Sequence, residues 1–206
     1  MSNYLDRVIV YVDAFNLYFG MLESGLNNCK WLDINKLVNS CLSNNQRLIE
    51  IKYFTSRVTN NPEKHKRQST YLEALETTQV KIIYGLYKSK KIECQNCGHL
   101  WQIANEKMTD VNIAMHLLID AYEDLFDTAI LISGDSDLVP PIRSVHNRFV
   151  TKSVSVFFPP GRHNLSVAAA AKGSMILGRK KLNDNQFPII VTKKSGFKLV
   201  KPTSWI

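Results

Sequence analysis

The chain has 206 residues, is 45% hydrophobic and carries a formal net charge of +8, proportions that suit one water-soluble domain with a real core. No apolar run approaches the roughly 20 residues that a membrane-spanning helix needs, and residues 1–7 lack the basic-then-apolar order of a secretory signal. The four cysteines, Cys29, Cys41, Cys94 and Cys97, are too few for a disulfide scaffold at this length, which points to a reducing cytoplasm.

Residues 8–12 form an uninterrupted apolar run of the kind buried on both faces of a parallel sheet, followed directly by Asp13, Ala14, Phe15 and Asn16. Residues 16–22 predict a short helix. Asp33 caps a second helix, in which Ile34, Leu37, Val38 and Leu42 fall at helical spacing. Residues 48–55, rich in β-branched and aromatic side chains, predict a second strand. Pro62 suits a first helical position and opens a helix to about residue 77 that is basic at Lys64, Lys66 and Arg67. Residues 80–86 predict a third strand. Strands alternating with helices call for a parallel sheet with right-handed crossovers.

Residues 88–103 interrupt that rhythm with Cys94-Gln95-Asn96-Cys97-Gly98-His99, a turn of the zinc-knuckle sort. Only half a site is visible, since no second Cys-x-x-Cys follows. Cys29, Cys41 or His99 would complete a Zn²⁺ site with Cys94 and Cys97 only if the fold brought them close. A reduced surface hairpin, or a site completed by another subunit, is the better reading. Asp110 then opens a helix whose apolar face is read as Val111, Ala114, Leu117 and Leu118, with Asp110 near the buried side. His116 reads as a partly exposed helical histidine.

Residues 128–132 are another doubly buried strand, and Ser133-Gly134-Asp135-Ser136-Asp137 follows it. Residues 138–145 predict a helix capped by Asp137 or Ser136, with Pro140 and Pro141 in its first turn. Residues 153–158 predict a fifth strand, and the loop 159–164 precedes a small-residue helix over 165–171. Gly161 and Arg162 at that helix start either hold a phosphate or form a plain turn. Residues 189–192 and 197–200 flank a turn, giving a basic hairpin. From Arg179 onward seven basic residues face one acid, Asp184, so six of the eight net positive charges lie there. That tail is either a solvated basic segment or a phosphate-binding surface.

In open α/β sheets ligands bind at the carboxyl ends of the strands. Three elements distant in sequence present carboxylates at a strand end or a helix start: Asp13, Asp110, and the pair Asp135 and Asp137. Crowded carboxylates resist joint ionisation without a cation, and a hard divalent ion with oxygen ligands relieves the repulsion.

The motifs Val-Asp-Ala-Phe-Asn (12–16), Glu-Lys-Met-Thr-Asp-Val-Asn-Ile-Ala (106–114) and Ser-Gly-Asp-Ser-Asp-Leu (133–138), in this order and spacing, resemble those of the NYN domain, a family of the PIN-like nuclease superfamily. The resemblance runs over about residues 7–178, with the hairpin-bearing insertion at about 88–103, and leaves 179–206 as a basic C-terminal extension. It implies an α/β, Rossmann-like (PIN-like) parallel sheet flanked by helices, here followed by the small basic C-terminal hairpin. It also implies a ribonuclease dependent on Mg²⁺ or Mn²⁺, with Asp13, Asp110, Asp135 and Asp137 in the metal site and Asn16 and Ser133 supporting it. Lys64, Arg67, Arg143 and Arg162 are the expected contacts to the RNA backbone. Single-stranded RNA suits a recessed strand-end cleft better than duplex, and a homo-oligomer is compatible with the sequence. Many members carry another Asp where this chain has His116, which leaves less negative charge for a second ion. The rival readings are an RNA- or nucleotide-binding module without turnover, and a metal-dependent phosphomonoesterase.

Overall fold

Strand β1 (Asp6–Asp13) is apolar from Val8 through Val12 because both of its faces are covered. Alternation along the strand sends Val8, Val10 and Val12 into one apolar cluster and Ile9 and Tyr11 into another on the opposite face. The computed structural model describes residues 4–59, 61–93 and 95–205, with side chains for all of these except 86–93 and 101–107. The strands β2 (Gln46–Thr55), β3 (Val80–Tyr84), β6 (Thr128–Ile132), β7 (Ser153–Phe158) and β8 (Gly173–Ile176) join β1 in a six-stranded sheet of order β3-β2-β1-β6-β7-β8. Every pairing in it is parallel. Between β3 and β6 the chain forms an antiparallel hairpin of β4 (Leu86–Glu93) and β5 (Leu100–Lys107). With that hairpin set aside, the strands follow the Rossmann order, which reverses direction between β1 and β6.

Helices α1 (Ala14–Glu23), α2 (Ile34–Asn39) and α3 (Pro62–Leu75) cover one face. Helices α4 (Thr109–Tyr122), α5 (Val139–Arg148) and α6 (Leu165–Ala170) cover the other. Asp33 caps α2 by accepting the Lys36 amide, as its position predicts. Leu42 lies beyond the end of α2, although it still packs against the core.

Helix α4 shows its sheet-facing side in a different register from the predicted one. Ile113, Leu117, Asp120 and Ala121 are buried, whereas Val111 is 60% exposed. Val111, Met115, Ile119 and Tyr122 form a second apolar stripe on the outside. Two apolar stripes on one helix leave periodicity with no means of choosing between them.

The third strand ends at Tyr84, and Leu86 begins the hairpin. Beyond Gly173 two elements appear that apolar patterning does not announce, the edge strand β8 and the short helix α7 (Arg179–Asp184). The strands β9 (Ile190–Thr192) and β10 (Lys198–Val200) pair antiparallel as the expected hairpin. The tail is built into the first core: Leu182, Phe187, Leu199 and Trp205 share a cluster with Trp31 and Tyr71. Three of its basic side chains bond the domain itself. Lys181 donates to the Ser40 carbonyl, Lys201 to the Asn28 carbonyl, and Lys193 pairs with Glu73 at 2.9 Å. Among the described residues no helix is long and apolar enough to cross a membrane.

Candidate active site

Asp13 ends β1 and caps α1 at the point where strand order reverses. Its Oδ1 accepts the Asn16 amide at 3.0 Å, and its Oδ2 accepts the Ser133 hydroxyl at 2.9 Å. The chain leaving β6 is therefore tied to the chain leaving β1. Two more bonds tighten the joint: the Asp135 amide donates to Ser133 Oγ at 3.1 Å, and the Gly134 amide donates to Asn16 Oδ1 at 3.0 Å. Ser133 thus passes one hydrogen bond on from Asp135 to Asp13.

The cap after β6 is Asp135. It accepts the Asp137 amide at 2.9 Å and opens a 3-10 turn, Ser136–Leu138, ahead of α5. The sequence places the cap of α5 on Ser136 or Asp137, whereas α5 follows Leu138, which makes no side-chain cap bond, and Asp135 caps the 3-10 turn instead. Three consecutive residues of good capping type give local rules no basis for choosing, and the bond to Ser133 settles the matter.

The four aspartates gather at this edge of the sheet. Burial pushes the Asp13 carboxyl up to about 6, against the pull of its two hydrogen bonds, and the charges of Asp110 and Asp135 add to the rise. Asp110, half-buried in the first turn of α4, is raised by burial and then by Asp135 and Asp137. The residue before α4, Met108, sits at φ 77° in the left-handed region and turns the chain out of β5 into the helix. Among the described residues no three acidic, His or Cys side chains close to the spacing of a formed ion site. The donor set is nevertheless all carboxylate and short of positive charge, which is the chemistry a hard divalent cation fits.

Close packing holds the loop 159–162 over this edge. A Cβ on Gly134 would stand 1.9 Å from the Arg162 carbonyl oxygen, and one on Gly20 would stand 2.8 Å from the Pro160 carbonyl oxygen. Neither glycine was singled out by sequence reading, since nothing local announces a contact made across the fold.

The expected backbone-binding residues fall in three places. Arg162 lies against Gly134, with one guanidinium nitrogen paired to Glu23 at 2.7 Å and its Nε buried without an acceptor among the described residues. Arg143 is exposed on α5. Lys64 and Arg67 line a cavity between α1 and α3, together with Lys30, Tyr18, Tyr71 and Trp205. That cavity was not legible in the sequence, because its walls come from widely separated segments. His116 has none of Asp13, Asp110, Asp135 and Asp137 among its charged neighbours. Its ring packs edge-on against Phe54 at 5.4 Å, and its charged neighbours are Lys52, Asp120, Lys81 and Glu50. Cys97 is exposed in the turn of the first hairpin, and Cys94 lies outside the described residues.

A family model described as the NYN domain matches residues 7–176 of this chain. The chain belongs to the NYN domain family. The NYN fold is nuclease-like, and the parallel sheet with carboxylates at its switch point agrees with it. This NYN chain is also similar to 6-hydroxy-3-succinoylpyridine 3-monooxygenase HspA of Pseudomonas putida. The two are 24% identical over 240 aligned residues, covering 97% of this chain and 75% of that protein. A crystal structure of a protein of unknown function from Vibrio parahaemolyticus matches with a TM-score of 0.60 at 18% identity, over 86% of this chain and 96% of that one. At that identity the likeness is one of fold.

Proposed function

We propose that this NYN domain hydrolyses phosphodiester bonds of single-stranded RNA with Mg²⁺ or Mn²⁺. The observation that carries the reading is the gathering of Asp13, Asp110 and Asp135 at the switch point of the sheet, close enough that neighbouring carboxylates add to the rise of Asp13 and Asp110. An uncompensated acidic cluster at a ligand-binding edge calls for a cation.

Asp13, Asp110 and Asp135 hold the ion, directly or through water, with Asp137 beside them. The ion supplies Lewis acidity toward the phosphoryl oxygens and toward water. Ser133 and the Asn16 amide hold both oxygens of Asp13, so its carboxylate is fixed before substrate arrives. Asn16 spends its Oδ1 on Gly134, which leaves its Nδ2 to donate to a phosphate oxygen. Asp137, exposed at the rim, orients the attacking water; the new P–O bond forms as the bond to the leaving oxygen breaks. Arg143, Arg162, Lys64 and Arg67 take the flanking phosphates. No side-chain nucleophile is required.

The test is cleavage of end-labelled single-stranded RNA with Mg²⁺, with Mn²⁺, or with EDTA, comparing wild type with Asp135→Asn. The expected result is ion-dependent cleavage that the variant loses by about 100-fold or more, equivalent to about 2.7 kcal/mol of transition-state stabilisation. RNA binding should persist in the variant. Cleavage that ignores both EDTA and the substitution overturns the reading.

The second reading is an RNA- or nucleotide-binding module without turnover. It is favoured by His116, which packs on Phe54 and brings no carboxylate to the cluster. Under that reading RNA binds and no ion produces cleavage. The monooxygenase named among the relatives acts on a substituted pyridine. Comparable chemistry here would leave RNA intact in the same assay.

A further inference from the structure

Between α1 and α3 the fold leaves a cavity of about 300 Å³, floored by Tyr53 and Thr55 of β2. This is the lower end of the range for small-molecule pockets. Its walls include the aromatic side chains of Tyr18, Tyr71 and Trp205. No Asp or Glu lines it, yet Lys30, Lys64 and Arg67 all do. A mere packing defect would be walled by apolar side chains alone. Here three cations share an aromatic chamber with no counter-charge.

Lys30 makes the case sharpest. The residue is only 7% exposed, and its ammonium has no hydrogen-bond acceptor or carboxylate partner among the described residues. What it has is ring faces, Tyr18 at 5.5 Å and Trp205 at 6.0 Å from ring centre to Nζ. Burial lowers the affinity of this amine for its proton, and the neighbouring positive charge of Arg67 lowers it further. An ammonium drawn largely out of bulk water beside another cation is costly unless something negative joins it.

Two other polar side chains of the wall are already engaged. Gln68 donates to the Ser56 carbonyl and accepts the Val58 amide, and the Tyr71 hydroxyl donates to the Leu32 carbonyl. The features of the wall that select a ligand are the cations and the flat ring faces. Cations select an anion, and ring faces select a planar π system.

We infer that this cavity binds a planar aromatic ring carrying one anionic group, a carboxylate or a phosphate, with the anion on Lys30 and Arg67 and the ring against Tyr18 and Trp205. Two sources present that chemistry, a nucleotide and a free aromatic acid. The inference goes beyond the nuclease reading and does not need it: none of Asp13, Asp110, Asp135 and Asp137 lines the cavity, although Lys64 and Arg67 are also the proposed contacts to flanking phosphates.

The test titrates the whole chain, in EDTA so that cleavage plays no part, with UMP, uridine, nicotinate and inorganic phosphate. Tryptophan fluorescence and calorimetry report binding. Saturable binding of UMP or nicotinate is expected, with uridine and phosphate alone weaker by about tenfold or more. UMP alone identifies a nucleotide as the source, nicotinate alone a free acid, and either supports the site. Lys30→Met should weaken binding about tenfold. Arg67→Gln, on a half-exposed helix position, should act in the same direction and decides the matter if the Lys30 variant fails to fold. No saturable binding of either probe overturns the inference. So does equal binding of uridine or phosphate, or wild-type affinity in the folded variants.

Discussion

Asp13 sits almost wholly out of water with two other carboxylates for company, and this sets a signed dependence of stability on pH. Its folded value of about 6 stands above the ordinary 3.8. The folded chain therefore holds a proton that the unfolded chain has released between about pH 4 and pH 6, and stability falls as pH rises through that window. The loss is of the order of 2–3 kcal/mol by neutral pH. Asp13→Asn removes the titration while keeping an acceptor for the Asn16 amide. In EDTA the difference in melting temperature between variant and wild type should grow in the variant's favour from pH 4 to pH 7. Saturating divalent ion should then stabilise wild type alone. Parallel melting curves across that range would contradict the account.

Gly134 shows a second residue-scale constraint, one of space. Its neighbour is the Arg162 carbonyl oxygen, which a methyl group would strike at 1.9 Å. Gly134→Ala must push the loop 159–162 and the turn after β6 apart, at a cost of about 1–3 kcal/mol read from urea unfolding. The bond from the Gly134 amide to Asn16 goes with it. On the proposed ribonuclease reading, RNA cleavage should therefore fall at temperatures where the variant is still folded.

At the scale of elements, α4 carries Asp110 to the sheet and is pinned there by a buried polar contact. Asp120 Oδ2 accepts Lys52 Nζ at 2.5 Å and the Tyr11 hydroxyl at 2.6 Å, with the Lys52 and Asp120 side chains 5% and 4% exposed. Asp120→Asn removes the charge nearest the buried Lys52 ammonium and leaves Glu50, at 3.3 Å, as its carboxylate partner among the described residues. It should cost about 3–5 kcal/mol, whereas joint replacement by Lys52→Met and Asp120→Leu should recover most of that. Equilibrium unfolding in urea measures both, and a single variant as stable as the double one would refute the pinning. This element also marks where sequence reading stops. The runs 8–12 in β1 and 129–132 in β6 are apolar at every position, so burial on both faces was legible from them alone. For α4 the periodic signal was present twice, and only the sheet decides which stripe it covers. Strand β8, with Gly173 and Ser174 and a largely exposed surface, carries too little apolar signal to be read at all. Within the site, Asp13, Asn16, Ser133 and Asp135 were legible because motif and strand end coincide. The contacts of Gly20 and Gly134 and the chamber around Lys30 were not, being products of residues far apart along the chain.

At the scale of the molecule, the tail belongs to the core and is more than a charged appendage. Trp205 is 6% exposed and packs against Trp31 and Tyr71. Trp205→Ala should lower stability by about 3 kcal/mol. Ending the chain at residue 178 should leave no cooperative unfolding transition by circular dichroism. Retention of a sharp transition would show that the tail only decorates the domain.

The hairpin of β4 and β5 divides the inventory of the acidic edge into two lots. Asp13 and Asn16 precede it; Asp110, Ser133 and Asp135 follow it, and its tip at residues 95–100 is exposed. Severing the backbone at that tip would yield two polypeptides, each lacking part of the acidic edge, whose reunion restores β1 beside β6. On the proposed ribonuclease reading, such halves fused separately to a pair of interacting proteins would report by RNA cleavage that their carriers have met.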